Sequence, residues 1–218
     1  MKFLTDAIAV GRKVIIADLH FGLVSFYDRE LLEKVVKLAE KFQTIIVAGD
    51  FRHLGKKSPV KEFIEKISEI SELLIVRGNH DAGISGYKAV KIGKYSVFHG
   101  HSIPGNEFFE SKNLIFAHAH PSIFIPSEVG GFKERVFLVG EIEVMGEKKR
   151  VVVLPAFNEL CSSTPVNLEK PAGFMFRRYN YHNWDAIMPD GTFLSLRSIL
   201  KAQKGVELEG GSDRDRGY

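Results

Sequence analysis

The sequence predicts a mixed α/β fold. Its first half alternates short apolar runs with amphipathic stretches, its second half is dominated by β-like runs, and polar residues cluster where the apolar runs end. Val14–Ala17, Thr44–Ala48 and Leu73–Val76 are brief, largely β-branched runs that read as buried strands. Between the first two, Leu31, Leu32, Val35, Val36, Leu38, Ala39 and Phe42 recur at helical spacing, with Glu33, Lys34, Lys37, Glu40 and Lys41 on the other face. Between the second and third, Val60, Phe63, Ile64, Ile67 and Ile70 mark another helix, with Ser58-Pro59 as its start signal. Further on, Tyr95–Phe98, Leu114–Ala117, Val136–Val139, Glu141–Val144 and Arg150–Leu154 read as strands. Turn signals at Gly146-Glu147-Lys148 and Pro189-Asp190-Gly191 separate some of them.

Length and composition bound the rest. The 218 residues are 44% hydrophobic and 26% charged, the balance of a soluble globular protein. No linker divides them, so residues 1–201 are expected to form one domain. Residues 202–218 end in a stretch, Gly210–Gly217, without apolar side chains, and are expected to be a flexible tail. No apolar run is long enough to span a bilayer, and no signal-peptide core precedes Arg12. A single cysteine, Cys161, excludes an intrachain disulfide framework and a thiolate zinc site; the expected location is cytoplasmic. A formal charge of +3 is too small for a dedicated nucleic-acid binder, although a local patch would still allow nucleic acid as a partner.

The polar strand ends are Asp18-x-His20, Gly49-Asp50, Gly78-Asn79-His80-Asp81, His99-Gly100-His101 and His118-Ala119-His120. In open α/β sheets, ligands bind at such ends. Seven of the eight histidines lie between His20 and His120. Mixed carboxylate and imidazole ligands suit Mn, Fe, Zn, Ni or Co better than calcium. One carboxylate such as Asp50 can bridge two cations, and two metals about 3.5–4 Å apart can clamp a phosphate and acidify a water. Taken singly, each pair reads as a turn, a cap or a locally bonded loop. Five such groups in this order favour the metal reading.

That order resembles the calcineurin-like metallophosphoesterases, whose pattern is D-x-H, G-D, G-N-H-D/E, H and G-H-x-H. Within the superfamily the chain resembles the small ICC-like phosphoesterases of archaea, related to bacterial proteins found beside DNA-ligase and helicase genes. Gly49-Asp50-Phe51-Arg52-His53, His118-Ala119-His120-Pro121 and Leu154-Pro155-Ala156-Phe157-Asn158 carry that likeness. The resemblance implies two β-sheets sandwiched between helices and a centre for two divalent transition-metal ions, manganese first, with nickel, zinc or iron as alternatives. It assigns Asp18, His20, Asp50 and His120 to one ion, and Asp50, Asn79, His99 and His118 to the other. It implies hydrolysis of a phosphodiester, of nucleotide type or otherwise, by a metal-bridging hydroxide, with His80 protonating the leaving oxygen. Ala117 stands where the family usually has glycine.

Other residues carry open readings. Arg52 and His53 are candidates for substrate contact or for a solvated loop. Asp81 is expected to orient its neighbours. His101 reads equally as a substrate or supporting contact and as a structural residue. The mixed basic and aromatic stretch Arg177–Trp184 could stack bases or form a half-buried edge strand. Cys161 reads as a small buried residue. Two rivals to the phosphodiesterase remain: a nuclease acting on DNA or RNA, and a catalytically silent phosphate- or protein-binding module on the same scaffold.

Overall fold

The computed structural model of the chain describes residues 1–53 and 60–202. Ser58-Pro59 and nearly all of the expected tail lie outside the described residues. The chain opens with β1 (Lys2–Phe3), β2 (Ile8–Val10) and β3 (Lys13–Ile16), paired antiparallel. Next come α1 (Asp28–Ala39), β4 (Thr44–Ala48), α2 (Val60–Ser68) and β5 (Glu72–Val76), with β3, β4 and β5 parallel. These strands form a five-stranded sheet in the order β1-β2-β3-β4-β5. The chain then runs through β6 (Ala89–Ile92), β7 (Tyr95–Phe98), α3 (Asn106–Glu110), β8 (Asn113–Phe116), β9 (Pro121–Ser127) and β10 (Gly130–Arg135). It finishes with β11 (Phe137–Val144), β12 (Glu147–Val153), β13 (Thr164–Pro165), α4 (Phe174–Arg178), β14 (Asp185–Ile187) and β15 (Phe193–Ser195). A seven-stranded sheet has the order β15-β14-β11-β12-β8-β7-β6, and a small sheet the order β10-β9-β13.

Side-chain alternation explains the layers. Along β4, Ile45 and Val47 turn toward the helices and pack with Leu31, Val35, Phe63 and Ile67. Ile46 and Ala48 turn the other way and meet Val97, Ile115, Phe137 and Val152 of the seven-stranded sheet. On that sheet Leu114 and Phe116 face outward into a third cluster with Phe108, Met175, Phe176 and Trp184. Both sheets are thus covered on both faces, which is why the strands read as unbroken apolar runs. The two-sheet architecture is the expected one. No helix among the described residues is long and apolar enough to cross a membrane.

Three details differ from the sequence reading. Val136–Val139 and Glu141–Val144 are one strand, β11, because Gly140 does not break it; Gly140 sits opposite the buried Trp184 ring, where a Cβ would collide. The hairpin between β11 and β12 turns at Met145-Gly146, both at positive φ, one residue before the expected turn signal. The stretch Arg177–Trp184 is not an edge strand: Phe176, Tyr181 and Trp184 pack into the core, with ring centroids 5.3 and 5.8 Å apart around Phe176, while Arg177 and Arg178 stay exposed. Tyr181 and Trp184, so buried, offer no face to a base.

Replacing Gly140 by alanine sets a methyl group against the Trp184 ring. A loss of about 1–3 kcal/mol is expected, read as a lower urea midpoint at unchanged slope. An unchanged midpoint would show that the ring gives way freely.

Candidate metal centre

The parallel pairing of β3 with β4 carries the two chains side by side past the ends of their strands. The Asp18 amide donates to the Gly49 carbonyl at 3.0 Å and the His20 amide to the Asp50 carbonyl at 2.9 Å. At this point the backbone changes hand. Among the described residues six non-glycine positions take positive φ, and five of them are Asp18, His20, Asp50, His118 and His120, at +55°, +45°, +51°, +73° and +43°. A left-handed residue with a side chain costs about 1–2 kcal/mol. Such strain concentrates where function over-determines the geometry.

The turns gather the side chains into two groups. The ligand atoms of Asp18, His20 and His120 lie within 4.8 Å of one another, and so do those of Asp50, His99 and His118. Asp50 stands between the groups, with Oδ2 3.5 Å from His20 Nε2 and 3.3 Å from His99 Nε2. Asn79 Oδ1 and His118 Nδ1 each lie 3.2 Å from His99 Nε2. Asp18 Oδ1 is 3.4 Å from His120 Nε2, yet it is buried and accepts no hydrogen bond; the Nδ1 of His20 is likewise buried and unbonded. Buried polar atoms left in that condition are costly unless a further group completes them. Two carboxylates, four imidazoles and an amide oxygen therefore fit a pair of divalent cations of the transition series.

Ring orientation is fixed from behind. His99 Nδ1 donates to the Ala48 carbonyl at 3.0 Å and His120 Nδ1 to the Ser162 carbonyl at 2.9 Å, so both rings turn Nε2 inward. Gly49 and Gly78 supply clearance, since a Cβ on the first would strike the His99 ring and one on the second the Asp50 carboxylate. Asp81 is buried and accepts from the amides of Gly78 at 2.8 Å and Arg52 at 3.2 Å, which ties the two loops together. Asp28, in the first turn of α1, accepts the Gly22 amide just after His20. Asn158 Nδ2 donates to the Leu19 carbonyl at 2.8 Å and the Phe157 amide to the Ala17 carbonyl, also at 2.8 Å. The Asp18-Leu19-His20 turn is thus held from both sides. Asn158 and the Ser162 carbonyl were not singled out from sequence as supports. The second offers no side-chain signal at all.

The remaining expected residues line the rim. The His80 amide donates to Asp50 Oδ1 at 2.9 Å, and its ring lies edge-to-face with His20, centroids 4.9 Å apart. His53 stacks on His80 at 5.5 Å, and the three rings form a further group of close ring nitrogens. Arg52 donates from Nε to the His80 carbonyl at 3.3 Å and from Nη2 to the Ala82 carbonyl, so its guanidinium braces the loop. His101 lies 5.3 Å from His99, ring to ring, brought round by Gly100 at φ +110°. Cys161 is part-buried, its Sγ 3.8 Å from the Asp18 carbonyl, and burial pushes its thiol pKa up, which makes it a poor nucleophile.

The sequence model of the calcineurin-like phosphoesterase superfamily domain matches residues 12–152. The chain belongs to that superfamily. No curated protein sequence matches it. Among solved structures, a conserved protein of Streptococcus pneumoniae described as a predicted phosphoesterase aligns at 13% identity, covering 84% of this chain and 91% of its own, with a TM-score of 0.35. Vacuolar protein sorting 29 of Cryptosporidium parvum aligns at 17% identity over 64% of this chain and 95% of its own, with a TM-score of 0.34. Its Entamoeba histolytica counterpart, in complex with zinc, aligns at 18% identity over 67% and 99%, with a TM-score of 0.33.

In this calcineurin-like domain the charges are balanced within the cluster. Burial pushes the His20 and His118 imidazoles down to about 4. Burial also opposes protonation of His120, but the Asp18 carboxylate outweighs it and raises the ring to about 9. His99 is raised in the same way, against burial, by Asp50 and Asp18. Asp18 and Asp50 are held below the ordinary carboxylate range by those imidazoles despite their own burial.

These shifts set the stability of the metal-free protein. His20 and His118 are kept neutral by folding, so their contribution is full above pH 6.5 and lost as pH falls toward 4. His99 and His120 are kept protonated, so theirs is full below pH 6.5 and lost as pH rises, through about 9 for His120. The urea midpoint of metal-stripped protein is expected to peak near pH 6.5 and fall on both sides. A midpoint that climbs steadily to pH 9 would contradict the charge arrangement.

Proposed function

We propose that the chain is a dimetal-dependent phosphodiesterase of the ICC-like group, loaded with manganese, and that Asp18, His20, Asp50, Asn79, His99, His118 and His120 hold its two ions. The observation that carries the reading is the position of Asp50 between two ligand groups, within 3.5 Å of a ring nitrogen on each side. The G-D-F-R-H and H-A-H-P runs and the diester chemistry of the family they resemble support the finer assignment. Two divalent cations would supply positive charge against the developing charge on the phosphoryl oxygens and lower the pKa of the attacking water.

The chain's own residues then do the rest. Asp50 sets the spacing of the two ligand groups, and the Ala48 and Ser162 carbonyls keep His99 and His120 facing inward. His80 is the residue that protonates or stabilises the departing oxygen. The hydrogen bond that its backbone N–H donates to Asp50 Oδ1 fixes its loop to the candidate metal centre, and stacking on His53 fixes its ring. Asp81 keeps the loop that carries it against the loop that carries Asp50.

The test is hydrolysis of bis-p-nitrophenyl phosphate beside p-nitrophenyl phosphate, with metal-stripped protein titrated with Mn²⁺, Ni²⁺, Zn²⁺ and Mg²⁺. Metal-dependent turnover that favours the diester, greatest with Mn²⁺, is expected. His80→Asn should lower kcat by about 10²–10⁴-fold with two ions per chain still bound. Absence of turnover with every metal, in folded and metal-loaded protein, would move the reading to a binding module.

A further inference from the structure

A cleft of about 350 Å³ shares Asn79 and His99 with the metal centre. Arg77, Lys88 and His101 line it, and Phe98 and Pro104 add apolar wall. A volume near the lower end of ordinary ligand pockets suits a single small organic group, about the size of a nucleoside or sugar. The lining is predominantly positive, with Asp81 its one carboxylate. Arg77 and Lys88 are exposed, and neither pairs with a carboxylate among the described residues. Asp81, the acidic residue of the wall, is buried and has committed its oxygens to the Gly78 and Arg52 amides.

The backbone segments that carry the two cations are held in register with each other. The Arg77 amide donates to the Tyr87 carbonyl at 2.9 Å, and the Tyr87 amide to the Ile75 carbonyl at 2.8 Å. This pairing lays the segment that carries Lys88 along the end of β5, where Arg77 begins the ligand loop. Gly86 makes it fit: a Cβ there would press on the Ile75 carbonyl and lie 3.1 Å from the Arg77 side chain. Two exposed cations without a carboxylate partner among the described residues, carried on paired backbone beside the proposed phosphoester site, suit a second anion.

We propose that this cleft is a subsite for a second phosphate carried on the same small molecule as the scissile phosphoester. The proposal rests on the phosphodiesterase reading above and narrows its substrate class to small bisphosphorylated compounds. Arg77 offers paired N–H donors to two phosphate oxygens, and Lys88 a point charge. Both bind a group whose charge does not change during the reaction, a contact equal in the ground and transition states, so their effect falls on KM rather than on kcat.

A matched pair of substrates tests it: p-nitrophenyl thymidine 5′-phosphate and the same compound with a 3′-phosphate, each releasing p-nitrophenol. The expected result is a preference of about tenfold or more in kcat/KM for the 3′-phosphorylated compound, carried by KM. The double variant Arg77→Gln/Lys88→Gln should lose that preference with fold and metal content unchanged, and Lys37→Gln on α1 should keep it. Equal kcat/KM for the two compounds, or a preference that survives the double variant, would overturn the proposal. Cleavage of a single-stranded oligonucleotide with the same dependence on Arg77 and Lys88 would overturn the small-molecule assignment. If neither chromogenic compound turns over, the phosphodiesterase reading fails on its own, and calorimetric binding of thymidine 3′,5′-bisphosphate to Mn²⁺-loaded protein judges the cleft. Binding about tenfold weaker in the double variant supports the subsite; equal binding overturns it.

Discussion

The left-handed turns at Asp18, His20, Asp50, His118 and His120 are the constraint on which the rest of the candidate metal centre depends. In an extended strand residues i and i+2 share a face but stand about 6.5 Å apart and march straight past a point. The change of hand curls the chain at the strand end, and the ligand atoms of Asp18, His20 and His120 come within 4.8 Å of one another. Every such residue is less favourable than it would be in a strand or helix. The strain is tolerable because neighbouring parts leave no alternative. Sheets packed face to face fix the strand ends, Gly49 and Gly78 make room for the His99 ring and the Asp50 carboxylate, and Asn158 and Asp81 hold the loops.

The same geometry makes the centre a receptacle for positive charge. Asp18 and Asp50 are both buried, and carboxylates so placed require compensation. In the metal-free chain the imidazoles of His99 and His120 supply it as protons, while His20 and His118 remain neutral. Cations entering the two ligand groups would provide the same compensation from a different source. The rings that face them are already oriented through the Ala48 and Ser162 carbonyls. Beyond the centre, Arg77 and Lys88 line the adjoining cleft.

What the sequence made legible follows from burial and from chemistry. Thr44–Ala48 is a strand from end to end because both its faces are covered, and such runs stand out without any partner being known. The five polar groups at strand ends were visible for a similar reason: their residue types are costly to bury for any structural purpose. Features that depend on a partner elsewhere were not visible. β9 and β10 hide behind Pro121, Pro126 and Gly130-Gly131, which argue against strands when read alone. Gly140 reads as a break until Trp184 is placed against it. The aromatics of 177–184 read as a surface until the core that takes Tyr181 and Trp184 is assembled. The Ser162 carbonyl, being backbone, leaves no trace in composition or pattern.

The most direct measurement of the central claim is the anomalous scattering of Mn²⁺-soaked crystals collected at the metal edge. The account predicts two peaks about 3.5–4 Å apart, with the Asp50 carboxylate between them and the two imidazole groups on opposite sides. A single peak, or two peaks of which only one contacts Asp50, would contradict it.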